Sequence, residues 1–232
     1  EVATFLTNNY VDCFGGPDAA HESFSDIQKA INQSMTSVLT TGGIRGASEK
    51  LGKFQPRSFN MGISKKAYVA SGGFGNIHPG EDPDLSIRLW DMNFKTALIP
   101  NAYVFHKRRI NWEKFYIQVN KFGKARPILN QRYPAYKKVT YWFPVVFSIG
   151  FIISIIALVF GFKILIFFYL AYFTLLFIES IMQTKSLKIG FLTIIATFFQ
   201  FFGYGAGFLY SYFMLNIMKQ DPKVAMPEMF FK

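Results

Sequence analysis

Three carboxylates fall within four positions at Glu81-Asp82-Pro83-Asp84, and Leu85-Ser86-Ile87-Arg88-Leu89 follows directly with helical spacing. Like charges this close repel unless a cation, a helix terminus or a reaction uses them. Pro83 suits a first helical position, because it has no N–H to leave unsatisfied and its φ is already helical. A helix running from Pro83 to about Asn93 puts Asp82 at the N-cap, Asp84 in the first turn and Arg88 one turn further on as its partner. That accounts for two acids and leaves Glu81 to be explained.

The surrounding elements must present this cluster. Upstream, NNYVDC reads as a short strand, a Gly-Gly-Pro turn follows, and a helix begins near Ser23 or Ser25. SVLTTGGIRGASEKLGKFQPRS, rich in Gly, Ser, Thr and basic residues, reads as a long loop. SFNMGIS is then a strand, KKAYVAS a short helix, and GGFGNIHPG a glycine-rich loop that delivers the acids. KTALIP and AYVFHKRR are further strands, so strands alternate with helices and the class is α/β.

Composition changes abruptly after residue 140. From Tyr141 to Met218 the only charged side chains are Lys163, Glu179, Lys185 and Lys188. The apolar runs between them approach the ~20 residues that span a bilayer. Three transmembrane helices are expected, at 142–161, 164–183 and within 189–218. Gly203, Gly205 and Gly207 interrupt the third, which implies a kink, a tilt or close helix packing. Glu179 lies near the end of its helix, where it can snorkel to the interface.

The chain carries 25 Lys and Arg against 14 Asp and Glu, a net charge of +11. Ten of those cations lie between Lys107 and Lys138, against the single acid Glu113. Basic charge directly before a membrane span is the positive-inside signal and suits anionic headgroups, so the bilayer rather than a nucleic acid is the expected partner. Within this segment Trp112, Phe115, Tyr116, Val119 and Phe122 share a helical face, an interfacial amphipathic pattern. Cys13 is the only cysteine, so no intrachain disulfide exists, in keeping with a cytosolic face. The opening EVATFLTNNYVDCFGG reads as the interior of a domain, and further sequence is expected upstream.

Taken as a set, SFNMGISKKAYVASGGF, then GEDPDLSIRL, then LIPNAYVFHKRR resembles the second half of the family 2 glycosyltransferases, inverting enzymes of the GT-A fold. The resemblance covers roughly residues 10–130. It implies a partial, Rossmann-like GT-A domain at 1–106, followed by the basic amphipathic segment at 107–140, an all-α transmembrane region at 141–218 and a tail at 219–232.

By the same resemblance Asp82 is the catalytic base that deprotonates an acceptor hydroxyl, and Glu81 helps shape the acceptor site. Gly72, Gly73, Phe74 and Asn60 line the acceptor. His106, Arg109, Gln118 and Arg126 lie towards the donor diphosphate, with His106 also a candidate metal contact. Lys107 and Arg108 could meet the same diphosphate or face headgroups. The substrates implied are a nucleotide sugar and a glycan or lipid-linked acceptor. The expected cofactor is a divalent metal, Mg or Mn, on a strand-ending Asp-x-Asp motif; the nearest match, Glu81-Asp82-Pro83-Asp84, is already assigned and no strand-ending motif lies upstream of it, so the ligands are expected outside this chain. The Q-x-x-R-W motif of processive relatives has only a loose echo in Gln118, Lys124 and Arg126.

Two other classes compete. In one, a non-catalytic module binds anionic lipid and the acids merely cap a helix. In the other, Glu81, Asp82, Asp84 and His106 form a hydrolytic metal site, which requires Asp84 to turn away from its own helix. Lys137 and Lys138 place the soluble domain in the cytoplasm, at an inner or plasma membrane. A third complete span then carries the tail across, and a re-entrant path bent at Gly203 to Gly207 is the alternative.

Overall fold

The computed structural model describes residues 1–41 and 53–231. Much of the long loop expected before residue 58 lies outside these residues. After a first helix, α1 (Val2–Asn8), strand β1 (Cys13–Gly15) forms the middle of a three-stranded sheet. It pairs antiparallel with β3 (Met61–Ile63), Cys13 opposite Ile63, and parallel with β4 (Thr96–Leu98), Cys13 opposite Thr96. A Cβ on Gly62 would lie 2.1 Å from the ring of Phe14, which faces it across the ladder, so glycine is required there. A separate parallel ladder joins β2 (Asp18–Ala19) to β5 (Val104–Phe105).

Helices α4 (Lys65–Ser71) and α5 (Glu81–Asp91) cover the three-stranded sheet through Ala67, Leu85 and Leu89, all fully buried with Cys13. Burial pushes the Cys13 thiol up to about 12, so this is a packing residue. Helix α2 (Asp26–Thr36) starts at a capping box. Ser25 Oγ accepts from the Gln28 N–H while Gln28 Oε1 accepts from the Ser25 N–H, as a serine followed three residues later by glutamine allows. The four-residue α3 (Val38–Thr41) follows it.

Helix α6 (Trp112–Arg132), capped by the Asn111 side chain, is the amphipathic basic segment. Its buried residues Phe115 and Val119 pack with Ile31 and Met35 of α2 and with Ala196 of α9 (Leu187–Tyr212). Helices α7 (Phe143–Val159) and α8 (Ile164–Thr184) form a hairpin whose tight turn places Gly161 at φ 86°. Three helical segments, Val139–Val159, Ile164–Thr184 and Leu187–Ile217, are long and apolar enough to cross a membrane.

The glycines of α9 do not interrupt it, since the helix is continuous from Leu187 to Tyr212. They let α6 approach backbone to backbone: a Cβ on Gly207 would sit 2.1 Å from the Asn120 carbonyl oxygen, and one on Gly123 would sit 2.1 Å from that of Tyr204. Asn120 Nδ2 donates to the Gly203 carbonyl at 3.1 Å, Ser211 Oγ to Lys124 at 2.9 Å, and Gln131 Nε2 to Leu215 at 3.2 Å. Of the three explanations for the glycines, close packing is directly seen in these contacts. Glu179 accepts a 2.5 Å hydrogen bond from Ser37 at the end of α2. After α9 a π-helical turn (Phe213–Ile217) leads to α10 (Pro222–Ala225), a 3-10 turn (Pro227–Met229) and then Phe230 and Phe231.

Candidate functional site

Helix α5 starts two residues earlier than its proline suggests. Gly80, at φ 131°, is the N-cap, so Asp82 lies inside the first turn rather than capping it. Pro83 is harmless there because the first four N–H groups of a helix have no intrahelical acceptor. The first helical bond, Asp84 N–H to the Gly80 carbonyl at 3.0 Å, comes after it.

The three acids then separate by role. Asp84 is 1% exposed. Its Oδ2 accepts from Arg88 Nε at 3.1 Å and Nη2 at 2.9 Å, and its Oδ1 accepts from Arg132 Nη1 at 2.5 Å and the Tyr133 hydroxyl at 2.9 Å. The Arg88 partner follows from i,i+4 spacing, whereas Arg132 and Tyr133 come from the end of α6. Arg88 also donates to the carbonyls of Ser71 and, at 2.7 Å, Gly73. Gly72 and Gly73, at φ 72° and 68°, end α4 in the left-handed region, where carbonyls need outside donors. Asp84 and Arg88 thus hold the Gly-Gly-Phe loop to α5. A Cβ on Gly75 would meet Asp84 Oδ2 at 2.6 Å, so the loop passes directly over this carboxylate.

Glu81 holds its own loop. Its Oε1 lies 3.0 Å from His78 Nδ1 and its Oε2 accepts from the Gly80 N–H at 2.8 Å. Asp82 is different. Its Oδ1 accepts from the Ser58 N–H at 3.0 Å, and among the described residues Ser58 is the hydrogen-bond partner found for its carboxylate. Burial pushes its carboxyl above the usual aspartate value, the nearby Arg57 charge pulls against that shift, and Glu81 adds to it. The bond from Ser58 replaces the N-cap geometry as the device that fixes this side chain.

Arg57 was not singled out by the sequence pattern. Burial lowers its guanidinium below the ordinary value, the attraction of Asp82 opposes this, and Arg126 contributes like-charge repulsion. Its position in the tight Arg57–Asn60 turn, directly before β3, is the only sequence signal it carries. Arg126, on α6, lies over the Tyr141 ring at 4.0 Å. The two arginines and Asp82 therefore share one electrostatic neighbourhood, which couples the basic helix to the acidic cluster.

The other predicted residues are placed as follows. Phe74 stands 43% exposed beside Tyr68, an accessible aromatic face. Asn60 Nδ2 donates to the Ala102 carbonyl at 2.9 Å and ties two turns together. His106 packs its ring edge-on against Phe59, with centroids 4.0 Å apart. Gln118 is half-buried on α6, and Lys107 and Arg109 are exposed.

Arg108 does not face a diphosphate or headgroups. It is buried, pairs with Asp18, and bonds Asn32 Oδ1 at 3.2 Å, while its carbonyl accepts from Gln28 at 2.9 Å. Among the described residues no three His, Cys, Asp or Glu side chains gather closely enough to hold a metal ion. Asp84 and Glu81 are committed to Arg88, Arg132 and His78, so Glu81, Asp82, Asp84 and His106 do not converge on one cation.

Residues 2–180 match the family model described as Glycosyl transferase family group 2. No curated protein and no solved structure matches the chain.

Proposed function

Because the chain belongs to glycosyl transferase family group 2, we propose that it forms the acceptor side of a membrane-anchored inverting transferase of the GT-A type. Asp82 takes the proton of an acceptor hydroxyl. That oxygen bonds to the anomeric carbon of a nucleotide sugar as the bond from that carbon to the diphosphate oxygen breaks on the opposite face, which inverts the centre. The electron pair leaves with the diphosphate, whose charge Arg57 and Arg126 neutralise.

One observation carries this reading: of three adjacent acids, two are locked into structural contacts, while Asp82 is held by Ser58 and kept close to a guanidinium. Its raised pKa brings the carboxylate closer to the basicity that proton abstraction needs. Phe74, on a loop clamped by Arg88, offers its ring to the acceptor sugar.

Among the described residues of this chain the acids do not gather to fit a divalent metal. We assign any Mg or Mn on the donor diphosphate to Asp-x-Asp ligands outside it, with His106 as the contact this chain adds. Lys137 and Lys138 before α7 favour a cytoplasmic domain, where nucleotide sugars are made. A lipid-binding module accounts for the exposed lysines but leaves the clamp of Asp84, Arg88 and the Gly-Gly-Phe loop without a purpose.

The test is sugar transfer by the full-length protein in membranes, using labelled nucleotide sugars and determination of the product anomer. Transfer with inversion, lost in Asp82→Asn with the fold intact, is expected. Transfer with retention, or an Asp82→Asn enzyme of wild-type activity, overturns the proposal.

A further inference from the structure

Residues 226–231 close the loop that precedes the acidic cluster. Phe230 bridges Ile77, the His78 N–H donates to the Met229 carbonyl at 2.8 Å, and the Phe231 N–H donates to Asn76 at 2.8 Å. Ile77, Met226 and Met229 are fully buried together, packed with Ala125, Ile128 and Leu129 of α6. The Phe231 ring stacks on His78 at 5.2 Å, and Lys124 Nζ meets Glu228 at 2.9 Å. His78 in turn holds Glu81. A segment joined to the domain in this way occupies the same aqueous compartment, so the chain between them crosses the bilayer an even number of times.

Packing within the apolar helices points the same way. Helices α7 and α8 are antiparallel, with Phe147 against Phe173 and Phe151 against Tyr169. α9 also runs against α7, with Gly205 beside Pro144 and Phe198 against Phe151. It runs against α8 too, with Phe198 on Phe173 and Thr193 on Ser180. Three rods cannot all be mutually antiparallel, so α9 lies oblique to the hairpin. It also runs parallel to α6, from Trp112 stacked on Phe199 to Gln131 bonded to Leu215. Carrying α9 through the bilayer would draw the Lys and Arg side chains of α6 in with it, where charge is expensive.

We propose that α9 lies along the membrane surface on the domain's side rather than crossing, and that residues 226–231 position the loop that leads into Glu81 and Asp82 at the start of α5. The second half rests on the transferase reading, and the first does not. In the full-length protein with Cys13 and any further native cysteine changed to Ala, the single changes Val69→Cys, Phe162→Cys and Val224→Cys put accessible thiols on the domain, the hairpin tip and α10, directly before the segment. These sites are 68%, 69% and 75% exposed.

A membrane-impermeant maleimide, applied before and after permeabilisation, should label Val224→Cys in the same condition as Val69→Cys and Phe162→Cys in the opposite one. Val224→Cys labelling with Phe162→Cys overturns the topology whatever the enzyme does. For the positioning role, deletion of 226–232 and the milder Phe231→Ala are compared. Both should lower kcat, the deletion on the order of ten- to a hundredfold, with donor KM little changed. A wild-type kcat in the deletion refutes positioning. A fall in Phe231→Ala confined to donor KM refutes it as well, even if the deletion fails to fold.

Discussion

Asp82 and Asp84 lie two residues apart on one helical turn, and the same Asp→Asn change should have opposite consequences at each. At Asp84 the amide replaces one oxygen with a donor. Whichever way it turns, its NH2 faces either Arg88 Nε and Nη2 or Arg132 Nη1 and the Tyr133 hydroxyl, all of them donors to the present carboxylate. A buried ion pair that loses one partner costs about 3–5 kcal/mol. Arg88 is 22% exposed and Arg132 34%, so water recovers part of this and the lower end applies. At ~2–4 °C per kcal/mol for a chain of this size, Asp84→Asn should lower Tm by roughly 6–12 °C.

At Asp82 the amide keeps the acceptor for the Ser58 N–H. A carboxyl whose folded pKa exceeds its unfolded one destabilises the fold as pH rises from the unfolded value through the folded one, so removing its charge costs no stability at neutral pH. The loss should be catalytic, about 10²–10⁴-fold in kcat, the range for a positioned general base. Thermal melting and transfer rates are measured on both variants in the same detergent. A destabilised Asp82→Asn, or an Asp84→Asn of unchanged Tm, would refute the division of labour between the two acids.

Three further outcomes follow from the geometry. Arg57→Met removes the charge that opposes the upward shift at Asp82, so the acid limb of kcat/KM should move to higher pH; no movement, or a move to lower pH, separates the two residues. Gly207→Ala sets a Cβ against the Asn120 carbonyl and should cost about 1–3 kcal/mol by thermal melting, whereas Gly205→Ala, whose Cβ would meet nothing closer than 3.3 Å, should cost much less. Arg108→Met strands buried Asp18 and should cost about 3–5 kcal/mol in denaturant unfolding, with Asp18→Asn in the same chain recovering part of that loss.

Periodicity made the coarse architecture legible. KKAYVAS is α4 from Lys65 to Ser71, the Ser25 start of α2 follows from its capping box, and the apolar segments fall close to their expected limits. What stayed hidden depends on distant partners. Asp84 shows its i+4 arginine in the sequence, but Arg132 and Tyr133 reach it only because α6 packs alongside. Proline punctuation misplaced the start of α5, since a glycine at positive φ takes the N-cap position expected of Asp82, and the backbone N–H that the Glu81 carboxylate bonds is that glycine's own. Arg108 reads like its basic neighbours until Asp18, 90 residues away, is brought beside it by the β2–β5 ladder.

The closure of Ile77 by Met226 and Met229 has a consequence for biosynthesis. The ribosome makes Met229 ~150 residues after Ile77, an interval of about 8–30 s at ordinary elongation rates. During that interval α6 has no α9 to cover Phe115 and Val119, and the loop before the acidic cluster has no edge to pair with. The nascent domain therefore waits, apolar faces uncovered, for membrane insertion of the hairpin to be followed by the return of the chain. Chaperone capture or proteolysis should act in this window, and a ribosome stalled before residue 226 should release an unfinished site.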